Sequence, residues 1–171
     1  MPQVTPFRSI RPIPELADRI AALPYDVYNR REALDETLRE PLSFLKIDRA
    51  ETQFPEDVDT YDPKVYEKAK ELLNSMLQDG SFIMEDAPCY YIYELTMDGR
   101  SQTGIVACSS IDDYQNEIIK KHEKTREDKE LDRIRHVDIT DTHTGPIFLV
   151  YRSVSVINQI VEDAKQEAPL Y

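Results

Sequence analysis

Apolar residues recur at helical spacing in several parts of the chain, and these stretches predict its helices. The predicted helices are residues 15–23, a segment from Asn29 to Pro41 through Leu34 and Leu38, residues 62–80, and a segment through Val156, Ile160 and Ala164. Pro24 is expected to end the first helix, and Asn29 is a plausible N-cap of the second.

The helix after Asp62 has the clearest signals. Asp62 can cap it, and Pro63 suits the first helical position. One apolar stripe contains Val65, Ala69, Leu72, Leu73, Met76 and Leu77. Gly80 suits a left-handed stop. Residues 50–60 are acidic and irregular, which predicts a surface loop between this helix and the preceding elements.

Short apolar runs predict strands over residues 43–47, 89–96, 100–109 and 146–151. Asp98 and Gly99 predict a two-residue turn, so residues that oppose each other have numbers that sum to 197. Cys89 would then face Cys108, which we interpret as two small buried core residues rather than a redox pair. Because helices and strands alternate, we predict an α/β fold, with α+β as the alternative, in which helices flank a mixed sheet containing this hairpin.

The composition narrows the class of protein. A chain of 171 residues suits a single domain, residues 1–171, that buries a core without disulfides. The net charge of −12 argues against binding to nucleic acid or to an anionic membrane. We see no signal peptide, and no apolar run approaches the ~20 residues of a membrane helix. With two cysteines only, we expect a cytoplasmic protein with free thiols.

The segment from Ile118 to His136 is the strongest candidate for chemistry. Residues 120–135 contain 7 of the 21 Lys and Arg residues and 5 acidic residues, a local charge of +2. The rest of the chain carries −14. A positive island in an acidic protein predicts a site for a small anion.

This segment allows two structures. In one, a single helix places His122, Arg126, Lys129 and Arg133 on one face. In the other, Thr125 caps a helix that starts after it, so that a phosphate can bind at the helix N-terminus. A solvated, salt-bridged helix without a ligand is the competing interpretation, although most i,i+4 pairs in the segment are like-charged.

Two other stretches carry chemical groups. Tyr25, Asp26 and Arg30 lie in a Pro-bounded loop that opens a helix, and such a loop can line a cleft or be an ordinary capped turn. Asp138, Asp141 and His143 fit no known spacing of metal ligands, so no metal site is predicted.

These residues together resemble a bacterial family known as domain of unknown function 1015. The most specific matching stretch is the box Lys121-His122-Glu123-Lys124-Thr125. The other matching stretches are 24–27, 41–45, 66–69, 102–107, 129–130, 132–133 and 145–148. They follow one another in order over nearly the whole chain.

The resemblance implies a longer architecture, of which this chain is the N-terminal part or an unusually short member. Family members continue past a motif like Pro169-Leu170-Tyr171 into a Gly-His-His-Arg-Tyr box, which this chain lacks. That box resembles the phosphate-binding motif of the ParB/sulfiredoxin superfamily, which includes free-serine kinases. The implied function is therefore a nucleotide- or phosphate-binding, phosphotransferase-like domain that uses ATP or ADP with Mg²⁺.

We assign roles on this hypothesis. His122 or Glu123 would be the general acid/base, and Asp26 would orient a substrate hydroxyl or Mg²⁺. Phosphate would be bound by Lys121, Lys124, Thr125, Arg126 and Lys129. Tyr25 and Arg30 would line the substrate site. A non-catalytic module that docks an acidic partner is the alternative. A structural half that contacts a missing C-terminal region, or self-associates through exposed apolar surface, is a third hypothesis.

Overall fold

The chain forms two compact units that interleave along the sequence. The computed structural model describes residues 2–121 and 124–171. Unit 1 contains Met1–Arg11, Met84–Lys124 and Phe148–Tyr171, and unit 2 contains Pro12–Ile83 and Thr125–Ile147. The helices are α1 (Ala17–Ile20), α2 (Arg30–Arg39), α3 (Leu45–Asp48), α4 (Pro63–Gln78), α5 (Ile111–Gln115), α6 (Glu127–Thr140) and α7 (Ser155–Ala164). The strands are β1 (Val4–Thr5), β2 (Ile10–Pro12), β3 (Phe82–Met84), β4 (Tyr91–Met97), β5 (Arg100–Val106) and β6 (Cys108–Ser109).

The predicted α/β class, with helices and a β-hairpin, is confirmed. Among the described residues the strands pair two by two, β1 with β6, β2 with β3 and β4 with β5. The predicted register of the hairpin is confirmed, since Tyr91 pairs with Val106 and Met97 with Arg100. Asp98 and Gly99 have φ values of 52° and 75°, the positive values that such a two-residue turn needs.

Unit 2 is built around a buried apolar core. Its buried apolar residues are Ala17, Ile20, Ala33, Leu45, Ile47, Ala50, Val65, Tyr66, Ala69, Leu73 and Phe82. Helix α4 supplies four of them, and its predicted cap is confirmed because the Asp62 side chain accepts the Lys64 N–H. Helix α2 begins with a reciprocal capping box between Asn29 and Glu32, as the Asn29 signal predicts.

Three predictions about unit 2 are wrong or incomplete. Residues 43–47 contain the helical turn α3 rather than a strand, because a short apolar run fits either structure and the Ser43 side chain accepts the Leu45 N–H. The first predicted helix is a 3-10 turn, Pro14–Leu16, followed by the short α1. Residues 50–53 form a 3-10 turn with Glu51 buried, where an exposed loop is expected.

The cysteines of unit 1 are not a buried pair. Thr5 pairs with Cys108 and Phe7 with Cys89, so the N-terminal segment lies between the two arms of the hairpin at its base. Two interstrand spacings, about 10 Å, then separate the cysteines. Both are exposed. The interpretation that they are buried core residues facing each other is therefore wrong.

The end of the chain follows its pattern in part. Helix α7 is present as predicted. Residues 146–151 belong to no strand or helix, so the strand predicted there is wrong. None of the helices in residues 2–121 and 124–171 has the length and hydropathy that crossing a membrane requires.

Candidate functional site

Helix α6 carries the polar residues Lys129, Asp132, Arg133 and His136 of unit 2. It begins after Arg126, which has extended backbone and no side-chain cap, so Thr125 is not the N-cap and the predicted capping box is wrong. Asp128, the acidic residue of the predicted capping box, instead forms an ion pair with Arg126 at 2.8 Å. Lys120, Lys121 and residues 124–126 are not helical, so one helix does not run through the whole segment.

Arg133 of α6 lies at the centre of a cluster of polar groups. Its guanidinium is 2.9 Å from Asp132 Oδ2 and 3.9 Å from Asp48 Oδ1. Its central carbon lies 4.3 Å from the centroid of the Tyr25 ring, a cation–π contact. We call Tyr25, Asp48, Asp132, Arg133 and His136 the Arg133 cluster. It joins α6, α3 and the turn at residues 25–27.

The turn that carries Tyr25 and Asp26 is held by a second arginine. Arg49 Nη1 donates to the carbonyls of Tyr25 and Tyr28 at 3.0 and 2.7 Å. Arg49 in turn pairs at 2.6 Å with Glu51, whose side chain is 2% exposed. The ion pair explains how a glutamate can be buried there. Arg133 and Arg49 therefore hold the turn in place. Asp26, within this turn, is exposed.

Asp48, whose side chain is 14% exposed, and His136, which is buried, have pKa values shifted in opposite directions. The Thr144 hydroxyl donates to Asp48 at 2.8 Å, and burial raises the pKa of the Asp48 carboxyl above its usual range. Burial also lowers the pKa of His136, whose Nε2 is 3.2 Å from the Ile47 carbonyl. This partner assigns the proton to Nε2. Among the described residues, His136 Nδ1 has no hydrogen-bond partner. Both shifts favour the neutral forms of the two groups.

Tyr66 connects the cluster to the core. Its hydroxyl donates to Asp132 Oδ1 at 2.9 Å, from α4 to α6. Burial, with this hydrogen bond second, raises the pKa of Tyr66 to about 12. Asp132 thus has a partner on each carboxylate oxygen, Tyr66 on one and Arg133 on the other. Asp132 is therefore a satisfied structural acceptor.

Lys129 lies one helical turn before Arg133 on α6. Its Nζ is 3.4 Å from the Tyr61 hydroxyl and 6.0 Å from the centroid of that ring. Lys129 and Arg133 thus present two cations on one face, each against a tyrosine. Within the part of the chain that the structure describes, Lys129 has no carboxylate within ion-pair distance.

The predicted site residues are divided between the two units. Lys121 lies in unit 1, with its Nζ 4.6 Å from the centroid of the Tyr114 ring. Lys124 is also in unit 1, whereas Thr125, Arg126 and Lys129 are in unit 2. Their joint binding of one phosphate stays a prediction. His122 and Glu123, the predicted acid/base residues, lie outside the described residues.

Arg30 has a structural role in the described part of unit 2. Its guanidinium donates to the carbonyls of Val58 and Pro55 at 2.9 and 3.0 Å. These bonds tie the start of α2 to the loop before α4. Arg133 and Arg49 contact the Tyr25 turn. Arg30, which is half-buried like Tyr25, contacts the loop before α4 instead.

The residues that the sequence did not indicate are partners from distant segments of the chain. Asp48, His136 and Arg49 carry no local motif, and their contacts join segments far apart in the sequence. The one available signal is the spacing of Lys129 and Arg133, which places them on one helical face. That signal identifies the cations but not the carboxylates that hold Arg133.

Comparison with known proteins shows a family and no function. No curated protein and no solved structure is significantly similar to the chain. The model of one family, described as a protein of unknown function (DUF1015), matches residues 4–171. Because this match covers nearly the whole sequence, the chain belongs to the DUF1015 family.

Proposed function

We propose that the chain binds a small phosphorylated ligand and acts as a phosphotransferase-like domain, with the α6 face of unit 2 as part of the binding site. The observation that carries the proposal is the pair of cations, Lys129 and Arg133, one turn apart and each against a tyrosine ring. A phosphate accepts hydrogen bonds from both types of side chain. The tyrosine contacts restrict the side chains before a ligand arrives.

The two cations have different parts in this proposal. Asp132 already offsets the charge of Arg133, so Arg133 supplies directed N–H donors. Lys129 has no such carboxylate among the described residues and supplies net positive charge. Removal of Lys129 should therefore weaken the binding of an anion more than removal of a lysine elsewhere on the unit.

The turn that carries Asp26 would provide the group that binds the substrate hydroxyl or Mg²⁺. Asp26 is exposed, and the neighbouring Tyr25 ring lies under Arg133. A carboxylate there can orient a substrate hydroxyl or bind Mg²⁺ beside a phosphate held by Lys129. ATP or ADP with Mg²⁺ is the ligand class that combines these groups. His122 and Glu123 remain the proposed acid/base residues.

Thermal unfolding of the full chain tests the proposal, with inorganic phosphate, ADP and ATP added, with and without Mg²⁺. A ligand at 100 times its dissociation constant should add about 2.7 kcal/mol to the free energy of unfolding. Lys129→Ala should reduce this stabilisation. Lys70→Ala, which removes an exposed lysine on α4 of the same unit, should leave it unchanged.

Two results would contradict the proposal: no stabilisation by any of these ligands, or the same stabilisation in Lys129→Ala as in the wild type. A double variant, Lys121→Ala/Lys124→Ala, shows whether the lysines before α6 share the ligand. A complex with an acidic protein that salt disrupts and nucleotides do not affect would support the docking module instead.

A further inference from the structure

The β4–β5 hairpin of unit 1 has two faces of different chemistry. Because side chains alternate along a strand, Tyr93, Leu95 and Met97 lie on one face. We call these three residues the apolar stripe. Their partners across the hairpin are Gly104, Gln102 and Arg100. The opposite face carries Ile92, Glu94 and Thr96, which pair with Ile105, Thr103 and Ser101.

Helix α7 lies against this opposite face. Lys165, directly after α7, pairs with Glu94 at 2.6 Å and lies 3.5 Å from the Thr103 hydroxyl. Val161 of α7 is the one buried apolar side chain of unit 1 among the described residues. Helix α7 is therefore on the side of the hairpin that carries the Ile92–Ile105 pair, and the apolar stripe is on the other side.

The apolar stripe is exposed. Tyr93, Leu95 and Met97 are 57%, 58% and 77% exposed. Phe7 packs on Tyr91, which lies on the same face, with ring centroids 5.3 Å apart. The stripe residues beyond Tyr91 stay exposed. A Cβ added at Gly104 would meet nothing within 4 Å, so open space lies opposite Tyr93. The uncovered face of an antiparallel sheet is usually polar, whereas the uncovered face of this hairpin carries three large apolar side chains.

We propose that the apolar stripe packs against the same stripe of a second copy of this chain, in a two-fold symmetric dimer. A two-fold interface uses one patch on both copies, and the stripe is uniform enough to be its own complement. The open space at Gly104 leaves room for a side chain of the other copy. The dimer would bury the face that the fold leaves uncovered.

The distribution of charge favours a copy of this chain as the occupant. Unit 1 carries 8 Lys and Arg against 11 Asp and Glu, a net charge of −3. Unit 2 carries 13 against 22, a net charge of −9. Two copies that meet through unit 1 therefore bring together the less charged units. The stripe itself contains no charged residue, and the charged residue that flanks it on the same face is Arg100.

The exposed area is sufficient for a weak dimer. At about 150–200 Å² for a fully exposed large side chain, the stripe presents roughly 300–400 Å² in each copy. With the flanking Gln102 and Arg100, two copies bury on the order of 1,000 Å², near the lower limit of specific interfaces. The dimer should therefore dissociate on dilution.

Light scattering coupled to gel filtration tests the proposal on the full chain, from low micromolar to near-millimolar concentration. The mass should rise with concentration from 19.9 kDa toward twice that value. Leu95→Lys should weaken association at least tenfold, because it places a charge in the interface. Leu38→Lys, a matched change at a residue of α2 in unit 2 that is 70% exposed, should leave association unchanged. A wild type that stays monomeric, or a Leu95→Lys chain that associates as the wild type does, would overturn the proposal.

Hydrogen exchange of the wild type keeps the proposal testable if Leu95→Lys does not fold. Amides of residues 91–97 should become more protected as the concentration rises, while those of α2 should not change. Added salt should strengthen the dimer, because it screens the repulsion between the acidic units. Protection of 91–97 that is independent of concentration would overturn the proposal.

Discussion

The two units differ in how they bury apolar residues. Eleven apolar residues are buried in unit 2, and they come from its helices and from β3. Within the described part of unit 1, Val161 alone is buried, whereas large apolar residues such as Met97, Phe148 and Val150 are 67% exposed or more. Hydrophobic burial is the main favourable term in folding. Unit 2 therefore has the means to be stable by itself, and unit 1 depends on additional contacts.

Truncation of a core side chain should give the largest difference between the units. Leu45→Ala in unit 2 removes a side chain that is 1% exposed and should lower the free energy of unfolding by about 2–5 kcal/mol. Leu95→Ala in unit 1 should change it by less than about 0.5 kcal/mol in dilute solution. Urea unfolding followed by circular dichroism measures both. Equal effects would mean that Leu95 is buried in the free chain.

Loss of the Tyr66 hydroxyl should have the next largest effect. Tyr66→Phe leaves Asp132 Oδ1 buried without its donor, which should cost about 1–3 kcal/mol. The folded pKa of about 12 lies above the ordinary value of 10, so this group's contribution is complete below pH 10 and is lost as pH rises through 12. The wild type should show this alkaline loss.

The control for this change is Tyr93→Phe in unit 1, which removes an exposed hydroxyl and should have little effect. Unfolding curves between neutral pH and pH 12 compare the variants. If Tyr66→Phe is as stable as the wild type and loses stability in alkali to the same extent, the hydrogen bond to Asp132 contributes nothing.

Helix caps provide a matched pair of smaller changes. Asn29→Ala removes the reciprocal cap of the ten-residue helix α2 in unit 2 and should cost about 1 kcal/mol. Ser110→Ala removes the cap of the five-residue α5 in unit 1, where the N–H of Asp113 lies 3.4 Å from the Ser110 hydroxyl. This long bond predicts a smaller loss. Thermal unfolding measures both, and a larger loss for Ser110→Ala would reverse the ranking of the units.

The dependence of stability on mildly acidic pH should give the smallest effect. Burial lowers the folded pKa of His136 below 6.5, so its contribution is present above pH 6.5 and is lost as pH falls through the folded value. Asp48 has a raised pKa and acts in the opposite sense: its contribution is present below pH 3.8 and is lost as pH rises through its folded value.

Urea unfolding above and below pH 6.5 tests this assignment. His136→Gln should flatten the loss of stability on acidification, and Asp48→Asn should steepen it because the opposing group is removed. An acid-induced loss in His136→Gln that is as large as in the wild type would show that other groups cause it.

Local sequence signals correctly predict the elements that short-range contacts determine. Helices α2 and α4 have caps within three residues of their starts, and the hairpin has its Asp98-Gly99 turn. The predictions fail where the signal is short or the partner is distant. Residues 43–47 fit a strand or a helical turn equally well. Cys89 and Cys108 are separated by an N-terminal segment that no turn rule anticipates.

The candidate site shows the same limit. Spacing along α6 places Lys129 and Arg133 on one face, and the Tyr25 loop stands out by its composition. That Arg133 stacks on Tyr25 and pairs with Asp48 depends on contacts more than 80 residues apart in the sequence. Such contacts follow from packing and not from a motif. Sequence reasoning therefore identified parts of the site but not their connection.

Native-state hydrogen exchange of the dilute full chain most directly tests the central claim that unit 2 has the stable core and unit 1 does not. Amides in the middle of α4 should exchange only with global unfolding, at rates that report the full free energy of unfolding. Amides of β4 and β5 should exchange much faster, through openings that leave unit 2 folded. Protection of the hairpin equal to that of α4 at low concentration would contradict the account.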